Sequence, residues 1–124
     1  MDPATEPSVE AGRRRRNLPA PPHVVAESLR EPDRDPARPW LHLLRDEQRP
    51  RVVEAAEGLV VWSSPWPAQP EALVRFGLVP DGGGGTDLTW TLLVAELPDR
   101  SRLGHYRKRI NELVHRDLRY SYGQ

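Results

Sequence analysis

Cysteine is absent from the 124 residues, which removes disulfides, thiolate nucleophiles and thiolate metal ligands together. That usage fits a reducing compartment, and a cytoplasmic protein is expected. An excess of charge of one sign is lacking too, since 18 basic residues balance 18 acidic ones. No global field recruits nucleic acid or an anionic membrane, and no nucleic-acid partner is expected. Long apolar runs are missing: the longest, residues 59–62, falls far short of the roughly 20 residues a spanning helix needs. Membrane insertion is therefore not expected. Residues 1–8 are acidic and have no apolar h-region, so no signal peptide is read there. No second histidine or carboxylate stands at metal spacing from His42 on its helix, and neither a metal nor a cofactor is expected.

What is present is organised around residues 99–118. Leu103, Tyr106, Ile110, Leu113, Val114 and Leu118 recur at steps of three and four, which places them on one stripe of a 3.6-residue helix. Asp99 and Ser101 stand where a cap accepts free backbone N–H groups, and Arg116 and Arg119 lie where the dipole favours cations. A helix of about 20 residues spans roughly 30 Å, too much for one short partner helix to cover. The cover expected is an antiparallel sheet, because residues 51–97 are strand-like and rich in turn signals.

In chain order, residues 1–7 carry two prolines and little to bury, which predicts a frayed leader ahead of a single domain over residues 8–124. Residues 8–18 predict a first strand in which Arg13, Arg14, Arg15 and Arg16 point alternately to the two faces. These arginines suit an edge strand that discourages unwanted pairing, a phosphate or nucleic-acid patch, or an inward arginine meeting an anionic ligand. Residues 19–31 predict a helix with prolines in its opening turn, and residues 38–45 a second short helix carrying Trp40, Leu41 and Leu44 on one side. Residues 50–56 and 59–64 predict a hairpin across Glu57-Gly58. Residues 71–79 and 86–97 predict two more strands, with Val74, Phe76 and Leu78 on one face of the first and Leu88, Trp90, Leu92 and Val94 on one face of the second. Such a pattern fits an antiparallel sheet covered on one side. The glycine run 82–85 opens a strand and has no Gly-Lys-Ser/Thr after it, so it reads as a flexible hairpin tip.

The order of strand, two short helices, antiparallel strands and long C-terminal helix resembles the helix-grip fold of the START-like (SRPBCC) superfamily. Leu18-Pro19-Ala20-Pro21-Pro22-His23-Val24-Val25 is similar to that superfamily's first strand followed by an Ala-Pro-x-x-Val helix start. Val60-Val61-Trp62-Ser63-Ser64-Pro65-Trp66 and Arg107-Lys108-Arg109-Ile110-Asn111-Glu112-Leu113 resemble small actinobacterial members. The resemblance implies an α+β fold in which a curved antiparallel sheet of about five strands wraps the C-terminal helix. Larger relatives have six or seven strands and often an aromatic where Ala26 stands, so the grip expected here is shallow or partly open. An exposed sheet edge also invites a homodimer.

In such a grip a pocket lies between sheet and helix. Its expected lining is Trp62, Val74, Phe76, Leu78, Leu88, Trp90 and Leu92, with Leu103, Tyr106, Ile110 and Leu113 above; the same residues could instead simply fill the core. Tyr106, His105, Ser64 and Arg75 are candidate polar anchors. His105 and Tyr106 diverge by about 100 degrees on a helix, which disfavours a dyad between them. Ser63 and Ser64 lack a Gly-x-Ser-x-Gly elbow, which disfavours hydrolase chemistry. Three functions remain: a binder of a small hydrophobic or amphipathic molecule, which the resemblance favours, a polyketide cyclase- or dehydratase-like enzyme without metal or cofactor, and a dimeric interaction protein with a filled core.

Overall fold

Residues 7–123 are described by the structure, a computed structural model. The leader expected at residues 1–7 lies outside them except for Pro7. Strands β1 (Val9–Leu18), β2 (Val52–Ala56), β3 (Leu59–Ser63), β4 (Leu73–Pro80) and β5 (Thr86–Val94) form one antiparallel sheet in the order β1-β5-β4-β3-β2. Helix α1 (Pro22–Arg30) follows β1, and α2 (Arg100–Asn111) begins the C-terminal helix. The β2–β3 turn needs its glycine, since Gly58 sits at φ +73°, a region other residues rarely enter.

The period-two pattern dictates which face is buried. Register lines up Trp62, Val74, Leu92 and Gly12 in one row across the sheet, and Val60, Phe76, Trp90 and Arg14 in the next. Leu78, Leu88 and Arg16 make a third. Each row is apolar until it reaches β1. The C-terminal helix lies over these rows, and Tyr106, Ile110, Leu113, Val114 and Leu118 join the sheet residues in one core. Burying a side chain such as Phe76 or Leu118 contributes about 1.5–3 kcal/mol.

The second short helix expected at residues 38–45 does not form. Residues 31–51 instead run as an irregular strap. Pro32, Pro36 and Pro39 each remove a backbone donor, and the apolar residues between them are too few to offset a helix nucleus. The burial expected of that segment survives in part: Trp40 and Leu41 are buried while Leu44 is exposed. Trp40 stacks on Trp62 with ring centroids 6.0 Å apart.

The C-terminal helix also departs from uniform 3.6-residue geometry. Asp99 caps it by accepting from the Arg102 N–H at 2.9 Å, and α2 runs to Asn111. Residues Glu112–Leu118 are then π-helical, and α3 (Arg119–Ser121) closes the segment. The Arg119 N–H reaches the Val114 carbonyl five residues back, and Leu113, Val114 and Leu118 are all buried. The glycine run is also more ordered than a free tip. Asp81 Oδ1 accepts from the N–H groups of Gly83 and Gly85, while Asn17 Nδ2 donates to Asp81 Oδ2 at 2.7 Å. These bonds, Asn17 first, hold the Asp81 carboxyl below its ordinary range.

Candidate functional site

Sheet and helix meet over a largely filled interior. Trp62, Val74, Phe76, Leu78, Trp90, Leu92, Tyr106 and Ile110 are each no more than 5% exposed. Trp62 faces inward, donates Nε1–H to the Leu29 carbonyl at 2.9 Å and meets Phe76 edge-on at a centroid distance of 4.8 Å. Ser64 is buried, and its hydroxyl is engaged with Trp66, donating to the carbonyl and accepting from the N–H, both at 3.0 Å. Arg75 pairs with Val61 and Thr91 on the opposite face of the sheet and is exposed.

Openings occur at the rim, where two of the expected lining residues reach solvent-facing clefts. Tyr106 lines one beside the start of α2, of about 450 Å³, with Trp66, Asp46, Arg102 and His105. Its ring stacks on Trp66 at 4.1 Å, and burial pushes its hydroxyl pKa up. His105 lies in the same cleft, with Nε2 2.8 Å from Asp46 Oδ2. Tyr106 is buried and His105 partly exposed where the two line this opening, and the strap supplies Asp46 to His105 from 59 residues away. A third cleft, of about 420 Å³, lies between the strap at Trp40 and the end of the C-terminal helix.

Trp90 lines the cleft between β1 and α2, about 670 Å³, within the range of small-molecule sites. Its other walls are Glu10, Ala11, Gly12, Arg13 and Arg14 of β1 and Arg107, Lys108 and Asn111 of α2. A register shift between Glu10 and Gly12 bulges β1 here. The Ala11 carbonyl accepts from Arg107 Nε at 2.6 Å, tying the helix to the edge strand. Gly12 makes the approach possible: a Cβ there would lie 3.0 Å from Arg107 Cγ and 3.3 Å from Trp90 Cζ3. Four residues along the strand from Gly12, Arg16 Nε donates to Asn111 Oδ1 at 2.8 Å.

The indole N–H of Trp90 is buried without a hydrogen-bond partner among the described residues, as are those of Trp40 and Trp66. Such orphans are uncommon in a folded interior. No group of three or more potential metal ligands occurs among the described residues, and none of the described helices is long and apolar enough to cross a membrane.

Sequence reasoning reached Trp90 and Tyr106 through their alternation and stripe. It missed Gly12, Ala11 and Arg107 as a unit, since neither the bulge nor the 96-residue separation of Arg107 from Ala11 leaves a sequence signal.

No protein-family model matches the chain, and no curated protein matches it significantly. Solved structures do. CalU16 from Micromonospora echinospora superposes with a TM-score of 0.61 at 16% identity, covering 83% of this chain and 68% of that one. An AHSA1-like protein from Rhizobium etli gives 0.62 at 20% identity, covering 91% and 82%. A Staphylococcus aureus protein of unknown function gives 0.57 at 13%, covering 93% and 91%. At these identities the likeness is one of fold, a helix-grip arrangement of an antiparallel sheet against a C-terminal helix.

Proposed function

We propose that this chain is a cytoplasmic binding protein for a small hydrophobic or amphipathic molecule, taken up where the sheet meets the C-terminal helix. One observation carries the reading: the cleft of about 670 Å³ between β1 and α2 is lined by Trp90, the last apolar residue of a row that crosses the sheet from Val60 through Phe76. A ligand there places apolar atoms against the indole and the adjoining core row, and polar atoms toward the β1 rim. The packed interior favours an open groove over a deep tunnel. Tryptophan fluorescence followed during titration with decanol and decanoic acid tests this. A saturable change with either probe, reduced in Trp90→Phe, is expected; a flat response to both overturns the reading.

A cyclase- or dehydratase-like reaction is the second reading, favoured by the His105–Asp46 contact of 2.8 Å in the cleft that Tyr106 lines. His105 would move a proton while Asp46 orients its ring. Turnover of an aromatic polyketide that is lost in Tyr106→Phe and in His105→Gln supports it; absence of turnover by the wild type removes it.

A further inference from the structure

The net charge of the chain is zero, yet cations are segregated at the β1–α2 cleft. Arg13, Arg14, Arg107 and Lys108 line it against one carboxylate, Glu10. Glu10 stands 3.9 Å from Arg13, and among the described residues Arg14, Arg107 and Lys108 form no ion pair. Register places Arg14 directly beside Trp90, so the apolar row from Val60 through Phe76 and Trp90 ends in a guanidinium. Arg107 is fixed by its Nε–H bond to the Ala11 carbonyl. That bond occupies one edge of the fork, and the other nitrogens make no hydrogen bond among the described residues, an arrangement suited to two-point capture of a carboxylate or phosphate.

We propose that the cleft takes an anionic amphipath, its carboxylate or phosphate held by Arg14, Arg107 and Lys108 and its apolar part laid along Trp90. The inference rests on the reading of this cleft as the ligand site and names the class of ligand. Gly12 lets Arg107 lie close against the edge strand, where any side chain would press on it. Of the cleft's cations, Arg14 also acts on a neighbouring imidazole, as the smallest of several causes. His115, one turn further along the helix, is held below its ordinary pKa by burial and then by Arg16, Arg119 and Arg14. An anion in the cleft relieves that repulsion.

Binding of decanoate, decyl phosphate and decanol, which share a tail and differ in head group, decides the matter, together with the double variant Arg14→Gln/Lys108→Gln. Both replaced residues are exposed, so the fold is expected to persist, and circular dichroism checks it. The expected result is affinity about tenfold or more higher for at least one anion than for decanol, with that preference lost in the double variant. A preference for decyl phosphate or for decanoate names the head group. Saturating anion also raises the titration midpoint of the His115 imidazole followed by NMR. Equal affinity for all three probes, or an unchanged double variant, overturns the anionic class and leaves the binding reading standing. Failure of all three to bind overturns both.

Discussion

Arg109 on α2 and Glu47 on the strap, 62 residues apart, form a two-point ion pair, with Nε to Oε2 at 2.7 Å and Nη2 to Oε1 at 2.9 Å. The side chains are only 4% and 0% exposed. Arg109 also donates to the His42 carbonyl at 3.0 Å, and the Glu47 carboxylate raises its pKa. Residues 31–51 have no regular structure, so this clasp and the Trp40–Trp62 stack hold them against the grip.

Removing one partner leaves a buried charge without compensation. Glu47→Ala is expected to lower unfolding stability by about 3–5 kcal/mol, whereas an apolar replacement of both, Glu47→Leu with Arg109→Met, costs less than the single change. Urea denaturation of the three proteins measures it. A single variant no weaker than the double one contradicts the clasp.

Trp62 and Tyr106 are equally buried but differ in what their polar atoms do. Trp62→Phe leaves the Leu29 carbonyl without its donor and is expected to cost about 1–3 kcal/mol. Among the described residues the Tyr106 hydroxyl makes no hydrogen bond, so Tyr106→Phe is expected to stay within about 0.5 kcal/mol of wild type. Tyr106→Ala also removes the stack on Trp66 and is expected to cost about 3–5 kcal/mol. Chemical denaturation curves rank the three.

Gly12→Ala places a methyl group 3.0 Å from Arg107 Cγ. The expected loss of stability is about 1–3 kcal/mol as Arg107 is displaced. Weaker decanoate binding should accompany it, and unchanged binding would show that the ligand does not depend on where Arg107 stands.

The lowered pKa of His115 carries a sign. Folding favours the neutral imidazole, so the stabilisation is present above the ordinary value of 6.5 and is lost as pH falls below it toward the lower folded value. Arg14 and Arg16 of β1 and Arg119 of the same helix supply the repulsion. Urea midpoints measured from about pH 8 to pH 5 should fall more steeply for wild type than for His115→Asn. Equal slopes would remove His115 from the account.

The β2 edge bears on assembly. All five of its residues are exposed, including Val52 and Val53, and no strand flanks it among the described residues. Pairing of this edge with a second copy is expected at micromolar protein and should be abolished by Val53→Lys. A monomeric mass for the wild type by light scattering contradicts it.

Strand positions were legible because alternation is a local signal: Val74, Phe76 and Leu78 occupy the face their spacing indicates, as do Leu88, Trp90 and Leu92. The stripe from Tyr106 to Leu118 was legible for the same reason. The π-helical geometry of Glu112–Leu118 was not, since both helix types bury Leu113, Val114 and Leu118. The helix expected at residues 38–45 failed because prolines interrupt the segment and its Trp40 is placed by stacking on Trp62, not by a helical face.

The sequence by itself determined which residues are greasy, their period, and hence an antiparallel sheet capped by one long amphipathic helix. Tertiary structure decided where that interior opens and which charges stand at the opening. Arg14 meets Trp90 only through strand register, and Arg107 meets Ala11 only through a bulge that turns one carbonyl toward the helix. Those meetings join residues some 76 to 96 positions apart, a distance that only chain folding can close.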